Sequence, residues 1–471
     1  MKRILSFMLM AAMTLSACTS TKTVAGDYPK NAVKPIKTYV PKRPAGQKNV
    51  LQLRTPKMDV VRVGFIGLGM RGIGAVQRFT HIPGVEIKAL GDLHGDRVEK
   101  SQKILDKAGL PRATEYYGSK DAWKKMCERE DIDLIYIIAD WKNHAEMSIY
   151  AMEHGKHVAV EVPGATTMKD LWAIIDTAER TQKHCMMLEN CVYDFFELTT
   201  LNMLQQEVFG EPLYAEGAYI HQLEQFWDSY ESDWRMEFNR HNRGDLYPTH
   251  GMGSACQALN IHRGDKMNYL VSMDSKAVSI PAYLQNKRGE KPSNFQNGQL
   301  TMTMIRTEKG KTIQIQHDVA TPRPYSRLYN VAGTKGYASK YPLQGYALEK
   351  GQVITESMKN HENLNAHSFL PEDIKKELMQ KYKHPIHKEL EETAKKVGGH
   401  GGMDFIMDYR LVYCLRNGLP LDMDVYDLAE WSCLVPLSKI SLENNSAPVE
   451  IPDFTRGHWN DIKGYRHALL K

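Results

Sequence analysis

Residues 61–72, Val-Arg-Val-Gly-Phe-Ile-Gly-Leu-Gly-Met-Arg-Gly, set Gly67, Gly69 and Gly72 in G-x-G-x-x-G spacing directly after a short apolar run. That spacing suits the holding of a dinucleotide. Gly67 permits a tight turn, Gly69 lets the backbone approach a pyrophosphate, and Gly72 allows a helix to pack closely on the preceding strand. The helix start then offers free N–H groups to phosphate. Twenty positions after Gly72, Asp92 closes a second apolar run, Val85 to Leu90. An acid there accepts hydrogen bonds from the adenosine ribose hydroxyls and repels a 2′-phosphate, which favours NAD over NADP.

A second cluster lies in Arg243-Gly-Asp-Leu-Tyr-Pro-Thr-His250-Gly-Met-Gly, ahead of a helix expected through Ser254–Leu259. His250, beside rigid Pro248 and near Tyr247 and Asp245, is a candidate acid–base group around neutral pH. A capping or core histidine is the competing reading. Glu189-Asn190-Cys-Val-Tyr193 ends the apolar run Cys185–Leu188 and points at the same region. Tyr219, His221, Trp234 and Arg235 form an aromatic and basic set suited to stacking on a sugar and bonding its hydroxyls, although each alone also fits a structural role. Gly398-Gly-His-Gly-Gly-Met-Asp404 lacks the Lys-Ser/Thr pair of a P-loop and reads as a flexible active-site loop.

These residues need a frame, and the chain supplies βα alternation. Helices are expected over 95–108 and 119–129, and Asp133–Ala139 is a continuous apolar run, as in a strand buried on both faces. It leads into Asp140-Trp-Lys-Asn-His144, a helix to Gly155, the strand His157–Val160, and then Glu161-Val-Pro-Gly. In a doubly wound sheet the ligand lies outside the carboxyl ends of the strands. Trp141–His144 and Glu161–Val162 therefore fall where a nicotinamide ring is expected, with helix capping an equal alternative for His144. Residues 58–188 thus read as an α/β Rossmann domain with a doubly wound parallel sheet. Residues 189–471 read as an α+β domain with an open, mostly antiparallel sheet, one face on helices and the other available for contact. Its expected helices are 195–208, 403–416 and 425–442, and 345–400 reads as polar surface helices and loops. Its expected strands are Leu213–Ile220, Lys276–Tyr283, Gln299–Arg306, Thr312–Val319 and Arg327–Ala332, several of them alternating apolar and polar.

Lys2 and Arg3 precede an apolar segment, Ile4 to Ala17, too short to span a bilayer and readable as an export signal. It ends Leu15-Ser16-Ala17-Cys18, which looks like a bacterial lipobox with Cys18 lipidated; an ordinary signal peptide is the alternative. Residues 1–18 are then a lipoprotein leader and 19–57, rich in Lys, Pro, Thr and Gly, a flexible tether. Thr19 gives no inner-membrane retention signal, so the expected location is the cell envelope, at the bacterial outer membrane or the periplasmic face. With 42% hydrophobic and 25% charged residues and a net charge of +5 over 471 residues, the chain is ordinary globular and carries no sign of nucleic-acid binding. The six cysteines after Cys18 form no C-x-x-C pair, so no metal is expected. They read as buried small hydrophobes, although export would permit a disulfide.

Taken together, G-L-G-M-R-G, W-K-N-H, E-V-P-G, G-D-L-Y-P-T-H-G and G-G-H-G-G-M-D resemble the Gfo/Idh/MocA oxidoreductase superfamily and, within it, the NAD-dependent glycoside hydrolases of family 109, from about residue 59 to the C-terminus. The resemblance implies cofactor contacts at Met70, Arg71, Asp92, Trp141, Lys142, Asn143, His144, Glu161, Val162 and Asn190. It implies sugar contacts at Tyr219, Arg235, Tyr247, Pro248, Thr249, His250 and Tyr325, with Tyr329 close to the last. Sugar dehydrogenases of the superfamily usually carry Glu-Lys-Pro where this chain has Glu161-Val162-Pro163, which weakens a plain dehydrogenase reading. The implied activity is removal of terminal α-linked N-acetylgalactosamine. Hydride leaves sugar C3 for NAD⁺, the C2 proton is removed, the C1 aglycone is eliminated, water adds and hydride returns. This route uses neither the paired carboxylates nor the oxocarbenium-like path of ordinary glycosidases. On that route His250, assisted by Tyr247, is the expected main acid–base pair, with Tyr193 a further candidate, and the resemblance implies NAD tightly bound and recycled in each turnover. The expected partners are a glycan ending in N-acetylhexosamine and, through the lipid, a membrane; a second copy of the chain is a further candidate. An exported sugar oxidoreductase and a non-catalytic glycan-binding lipoprotein are the two alternatives.

Overall fold

Short apolar runs build the first sheet: β1 (Val61–Ile66), β2 (Val85–Gly91), β3 (Thr114–Tyr116), β4 (Leu134–Ile137), β5 (His157–Val160) and β6 (Cys185–Met187). All its pairings are parallel and the order is β3-β2-β1-β4-β5-β6, so the strand order reverses between β1 and β4. The connecting helices are α1 (Met70–Phe79), α2 (Gly95–Lys107), α3 (Ala122–Cys127), α4 (His144–Glu153) and α5 (Met168–Thr181). Every residue of β4 and β5 is buried, as their unbroken apolar character requires of strands covered on both faces. The computed structural model describes residues 34–227, 234–290 and 295–470. The leader, Cys18 and tether residues 19–33 lie outside the described residues.

The remaining chain forms α6 (Phe195–Gln205), β7 (Pro212–Ile220), α7 (Trp234–His241), α8 (Thr249–Leu259), β8 (Met267–Asp274), α9 (Ser279–Arg288), β9 (Leu300–Thr307) and β10 (Thr312–Asp318). It continues with β11 (Tyr329–Gly333), β12 (Gly336–Ser339), β13 (Gly345–Leu348), α10 (Glu372–Lys381), α11 (Pro385–Val397), α12 (Met403–Asn417), α13 (Val425–Ser432), α14 (Leu434–Glu443) and β14 (Val449–Glu450). Its sheet runs β13-β12-β11-β7-β10-β9-β8-β14, antiparallel except where β10 meets β7. Strand β9 alternates buried and exposed residues, as a sheet with one covered face demands. Helices α8 and α14 cover that face.

Three expectations need correction. Lys276–Tyr283 is not a strand: β8 ends at Asp274 and Ser279–Arg288 is helix α9. Ile280, Tyr283 and Leu284 are its buried residues, an i, i+3, i+4 set, and Pro281 sits in the first turn, where a missing N–H breaks no helical bond. The helix expected over 425–442 is two helices, α13 and α14, meeting at Cys433. The flexible tether expected over 19–57 does not extend through 35–57, which lies on the folded body. Ile36 bridges Val449, Arg43 holds buried Glu179 through two bonds of 2.9 and 3.0 Å, and the Val50 amide donates to the Tyr426 hydroxyl at 3.1 Å. Glu179 also accepts from Tyr426 at 2.7 Å and Arg456 at 2.5 Å. A buried carboxylate with that many donors fixes the segment that brings one of them.

The chain then crosses back: α12 packs on α1 and β1, and α13 on α5 and β6. C-terminal residues therefore help cover the N-terminal sheet.

Several histidines are buried as neutral rings. The His157 Nδ1 accepts from the His184 amide at 3.1 Å, and the His384 Nδ1 accepts from the Ile386 amide at 3.2 Å, which requires both nitrogens unprotonated. His467, its ring 4.7 Å from that of His384, has both nitrogens buried without partners. Burial pushes His184 and His467 down to about 4 and His384 to about 2. Unfolded histidines take up protons below a pH of about 6.5, so between that pH and about 4 the unfolded chain binds more protons and folding weakens as pH falls. Denaturant midpoints are expected to drop steadily from pH 6.5 to 4.5. His467→Leu should flatten that slope by up to about 1.4 kcal/mol per pH unit, measured by urea unfolding at several pH values.

Candidate functional site

The glycine loop after β1 has the shape its spacing requires. Gly67 lies at φ +92°, and a Cβ there would meet the Ile138 carbonyl oxygen at 2.3 Å. A Cβ on Gly72 would meet the Gly67 carbonyl oxygen at 2.0 Å, so only glycine lets α1 start this close to β1. Around Gly69, by contrast, a Cβ would find nothing nearer than Arg97 at 4.0 Å. Gly69 is the N-cap of α1, with no side-chain cap and no acidic residue in the first turn, which leaves amides and open space for a pyrophosphate. Asp92 follows β2 and braces this loop: Oδ2 accepts from the Leu68 amide at 2.6 Å and Oδ1 from the His94 amide at 2.9 Å. Carboxylate oxygens accept more than one donor, so ribose hydroxyls can still be held. These features fit a dinucleotide.

The remaining cofactor-side residues separate into two groups. Arg71 bonds Glu161 at 3.1 Å and Asp404 at 3.0 Å, and Asn190 donates to Asp404 at 2.5 Å. Val162 is buried beside Glu161, and Trp141 is buried against Tyr247, its ring stacked at 5.5 Å. Met70 is 77% exposed at the loop's lip, Lys142 is exposed, and Asn143 bonds Asp140. His144 does not present its ring to the cleft. It is fully buried, Nδ1 at 2.8 Å from the Pro163 oxygen and Nε2 at 2.9 Å from the Ala139 oxygen, and so ties together the loops after β4 and β5.

His250 owes its position to three glycines. Gly251 on α8 lies against Gly217 of β7, where a Cβ on Gly217 would meet the Gly251 Cα at 2.5 Å. A Cβ on Gly253 would meet Glu189 Cγ and Val192 Cγ1, both at 2.9 Å. Helix α8 can thus nest against the strand and against the turn after β6, carrying His250 to Glu189. The His250 Nδ1–H donates to Glu189 Oε1 at 2.7 Å, and the same oxygen accepts from the Cys191 amide at 3.0 Å. Burial lowers the His250 pKa, with Glu189 opposing. Burial also works against the Glu189 carboxylate, but His250 and the Cys191 amide outweigh it and hold Glu189 below its ordinary range. The result is a carboxylate-oriented, neutral imidazole whose Nε2 is left to meet a ligand.

Tyr219, Arg235, Tyr247 and His250 come together. Tyr219 packs on Tyr247 at 4.8 Å and on His250 at 5.5 Å, and the Arg235 guanidinium lies 5.0 Å from the rings of both Trp141 and Tyr247. Trp141, Tyr219, Arg235, Tyr247 and His317 line a cleft of about 450 Å³. Burial keeps Tyr247 well above the ordinary phenol range, and pushes Asp245, behind it, up to about 7. Thr249 is fully buried and Pro248 caps α8, so both shape the wall. Tyr325 is 41% exposed and packs edge-on against His221, whereas Tyr329 is buried in β11. Tyr193 does not join the site. It has no exposure, and its hydroxyl donates to Asp422 at 3.1 Å, inside a buried network with Arg410.

Two residues without an assigned role in the sequence reading stand out. Glu189 orients His250; its place at the end of β6 was the available signal. His400, on the glycine loop before α12, has Nδ1 at 2.9 Å from Asp404 and a side chain 40% exposed, a second imidazole held by a carboxylate. Its four glycine neighbours marked the loop, but only folding brings it to Arg71, 3.2 Å away.

Known proteins share both halves. Residues 61–189 match the oxidoreductase family with an NAD-binding Rossmann fold, and residues 193–461 match the C-terminal domain of glycosyl hydrolase 109. Glycosyl hydrolase family 109 protein 1 of Bacteroides fragilis is 67% identical over 463 residues, covering 98% of each chain. A glycosyl hydrolase family 109 protein of Porphyromonas gingivalis is 64% identical, covering 100% of this chain and 99% of its own. Among solved structures, an NAD binding oxidoreductase from Klebsiella pneumoniae superposes with a TM-score of 0.62 at 16% identity, over 84% of this chain and 100% of the other. Levoglucosan dehydrogenase in complex with NADH and levoglucosan gives 0.61 at 16% identity, over 83% and 100%. At that identity the likeness is of fold.

The two loop glycines should respond differently to substitution. Gly72→Ala forces its Cβ into the Gly67 carbonyl and should lower the thermal midpoint by several degrees, as expected for backbone strain of about 1–3 kcal/mol. Gly69→Ala, in open space, should leave the midpoint nearly unchanged yet weaken NAD binding about tenfold or more, read by calorimetric titration.

Proposed function

Because the chain belongs to glycoside hydrolase family 109, we propose that it removes terminal α-linked N-acetylgalactosamine by transient oxidation at C3, elimination across C1–C2, water addition and re-reduction. One observation carries this reading: the dipeptide Glu189-Asn190 serves both sides of the cleft. Glu189 orients the acid–base imidazole of His250, while Asn190 bonds the carboxylate that also holds Arg71 beside the dinucleotide loop. This linkage supports a reading in which proton transfer takes place next to the nicotinamide.

NAD bound here supplies a hydride acceptor and donor that ends each turnover unchanged. The protein's own groups do the rest. His250 Nε2 takes and returns a proton at the sugar ring, with the Tyr247 hydroxyl beside it. Arg235, packed flat against Trp141 and Tyr247, holds sugar hydroxyls, and Tyr219 and Tyr325 complete the contact. His400 is a second carboxylate-held imidazole available for proton transfer. The Glu161-Val162-Pro163 triplet offers no lysine to assist a simple alcohol dehydrogenation.

The lipobox at Cys18 supports an envelope location, at the outer membrane or periplasmic face, with the lipid as membrane anchor. A retained and recycled cofactor suits that place, because no free nicotinamide pool replenishes it. Cys18→Ala should move the protein from the membrane to the soluble fraction on cell fractionation.

The test of the activity is hydrolysis of an α-N-acetylgalactosaminide in deuterated water. Deuterium at C2 of the released sugar is expected, together with NAD on denaturing the protein. His250→Ala should lose about 10²–10⁴-fold in turnover while remaining folded, its thermal midpoint lowered because Glu189 loses its partner. Product without C2 deuterium, full speed after the nucleotide is stripped, or net NADH from free sugar would each overturn the reading, the last in favour of an exported sugar oxidoreductase.

A further inference from the structure

Asp404 is the second residue of α12, and its side chain is 1% exposed. Its Oδ2 accepts from Arg71 Nη1 at 3.0 Å and from His400 Nδ1 at 2.9 Å, and its Oδ1 accepts from Asn190 Nδ2 at 2.5 Å. Arg78 stands 3.7 Å from Oδ2. One buried carboxylate is thus shared by α1, by the turn after β6 and by the glycine loop. Burial opposes its ionisation, but His400, Arg71 and Arg78 outweigh that and hold it well below the usual carboxylate range.

The loop depends on this contact. Gly399, His400, Gly401 and Gly402 all lie at positive φ, and the Gly402 and Asp404 amides donate to the Gly399 oxygen. A Cβ on Gly399 would meet the Asp404 Cβ at 2.7 Å, so the loop rests directly on that side chain. Arg71 and His400 share one oxygen, with Arg71 Nη1 and His400 Nδ1 only 3.2 Å apart. A ligand that draws Arg71 toward itself leaves that oxygen to His400.

We propose that Asp404 is a positioning residue that couples dinucleotide binding to the loop 398–402, so that an occupied cofactor site fixes His400 in place. The proposal rests on Arg71 and Asn190 being cofactor contacts. Coupling is reciprocal: a loop that tightens when NAD binds must strengthen NAD binding by the same factor.

The test uses the full-length protein, NAD alone and no glycoside. In the wild type, NAD should slow hydrogen exchange of the amides of residues 400–403 by about fivefold or more. Asp404→Asn should bind NAD about tenfold more weakly and show no NAD-dependent change in loop exchange, while Asp404→Glu, which keeps the charge, should recover part of both. A lowered thermal midpoint with native NAD affinity and a native loop response would overturn the proposal, since that is all a structural role predicts. Should Asp404→Asn fail to fold, His400→Gln carries the test: weaker NAD binding supports the coupling, and unchanged affinity overturns it. NAD binding by the wild type without any loop response removes the coupling alone. No NAD binding by the wild type removes the cofactor reading as well.

Discussion

Two aspartates one turn apart on α12 grip two arginines two turns apart on α1. Asp404 meets Arg71 at 3.0 Å and Asp408 meets Arg78 at 2.7 Å, with the Tyr136 hydroxyl of β4 donating to Asp408 at 2.6 Å. This seam joins the C-terminal half of the chain to the helix that begins at the glycine loop. Both aspartates and Arg78 are almost fully buried, so the attraction between the pairs is offset by the cost of removing charges from water. Their net contribution is small, but losing one partner strands the other, at a cost of about 3–5 kcal/mol. The seam therefore acts as a constraint on geometry more than as a reservoir of stability. It fixes where α1 starts, hence where the phosphate-facing amides point, and it fixes the loop that carries His400.

On the other wall the same device recurs on a smaller scale. A sealed carboxylate, Glu189, holds one nitrogen of His250 and frees the other. The glycines of α8 make this contact possible by removing the side chains that would keep helix, strand and turn apart. Among the described residues, aromatic rings line much of the remaining cleft.

Local signals were legible wherever one residue's role depends on its near neighbours. The G-x-G-x-x-G turn, Asp92, the uniformly apolar β4 and β5 and the alternating β9 follow directly from spacing and period. Lys276–Tyr283 failed because a short apolar stretch carries either period, and Pro281 was not weighed as a first-turn residue. Residues 35–57 failed for another reason. Their composition is that of a tether, and what docks them is Glu179, 136 positions beyond Arg43. Tyr193 follows the same rule: nothing near it in sequence announces Asp422, 229 residues away. The site's chemistry was readable as a set of types, whereas the pairing of each imidazole with its carboxylate was not, because those pairs are made by tertiary approach.

The seam between α1 and α12 also bears on biosynthesis. Asp404 leaves the ribosome 333 residues after Arg71, a delay on the order of tens of seconds. Until then the Rossmann half lacks a covering helix, Arg78 lacks Asp408, and Arg71 has Glu161 alone. Completion of the seam therefore waits for nearly the whole polypeptide, and the last contacts made are those that brace the helix carrying the phosphate-facing amides.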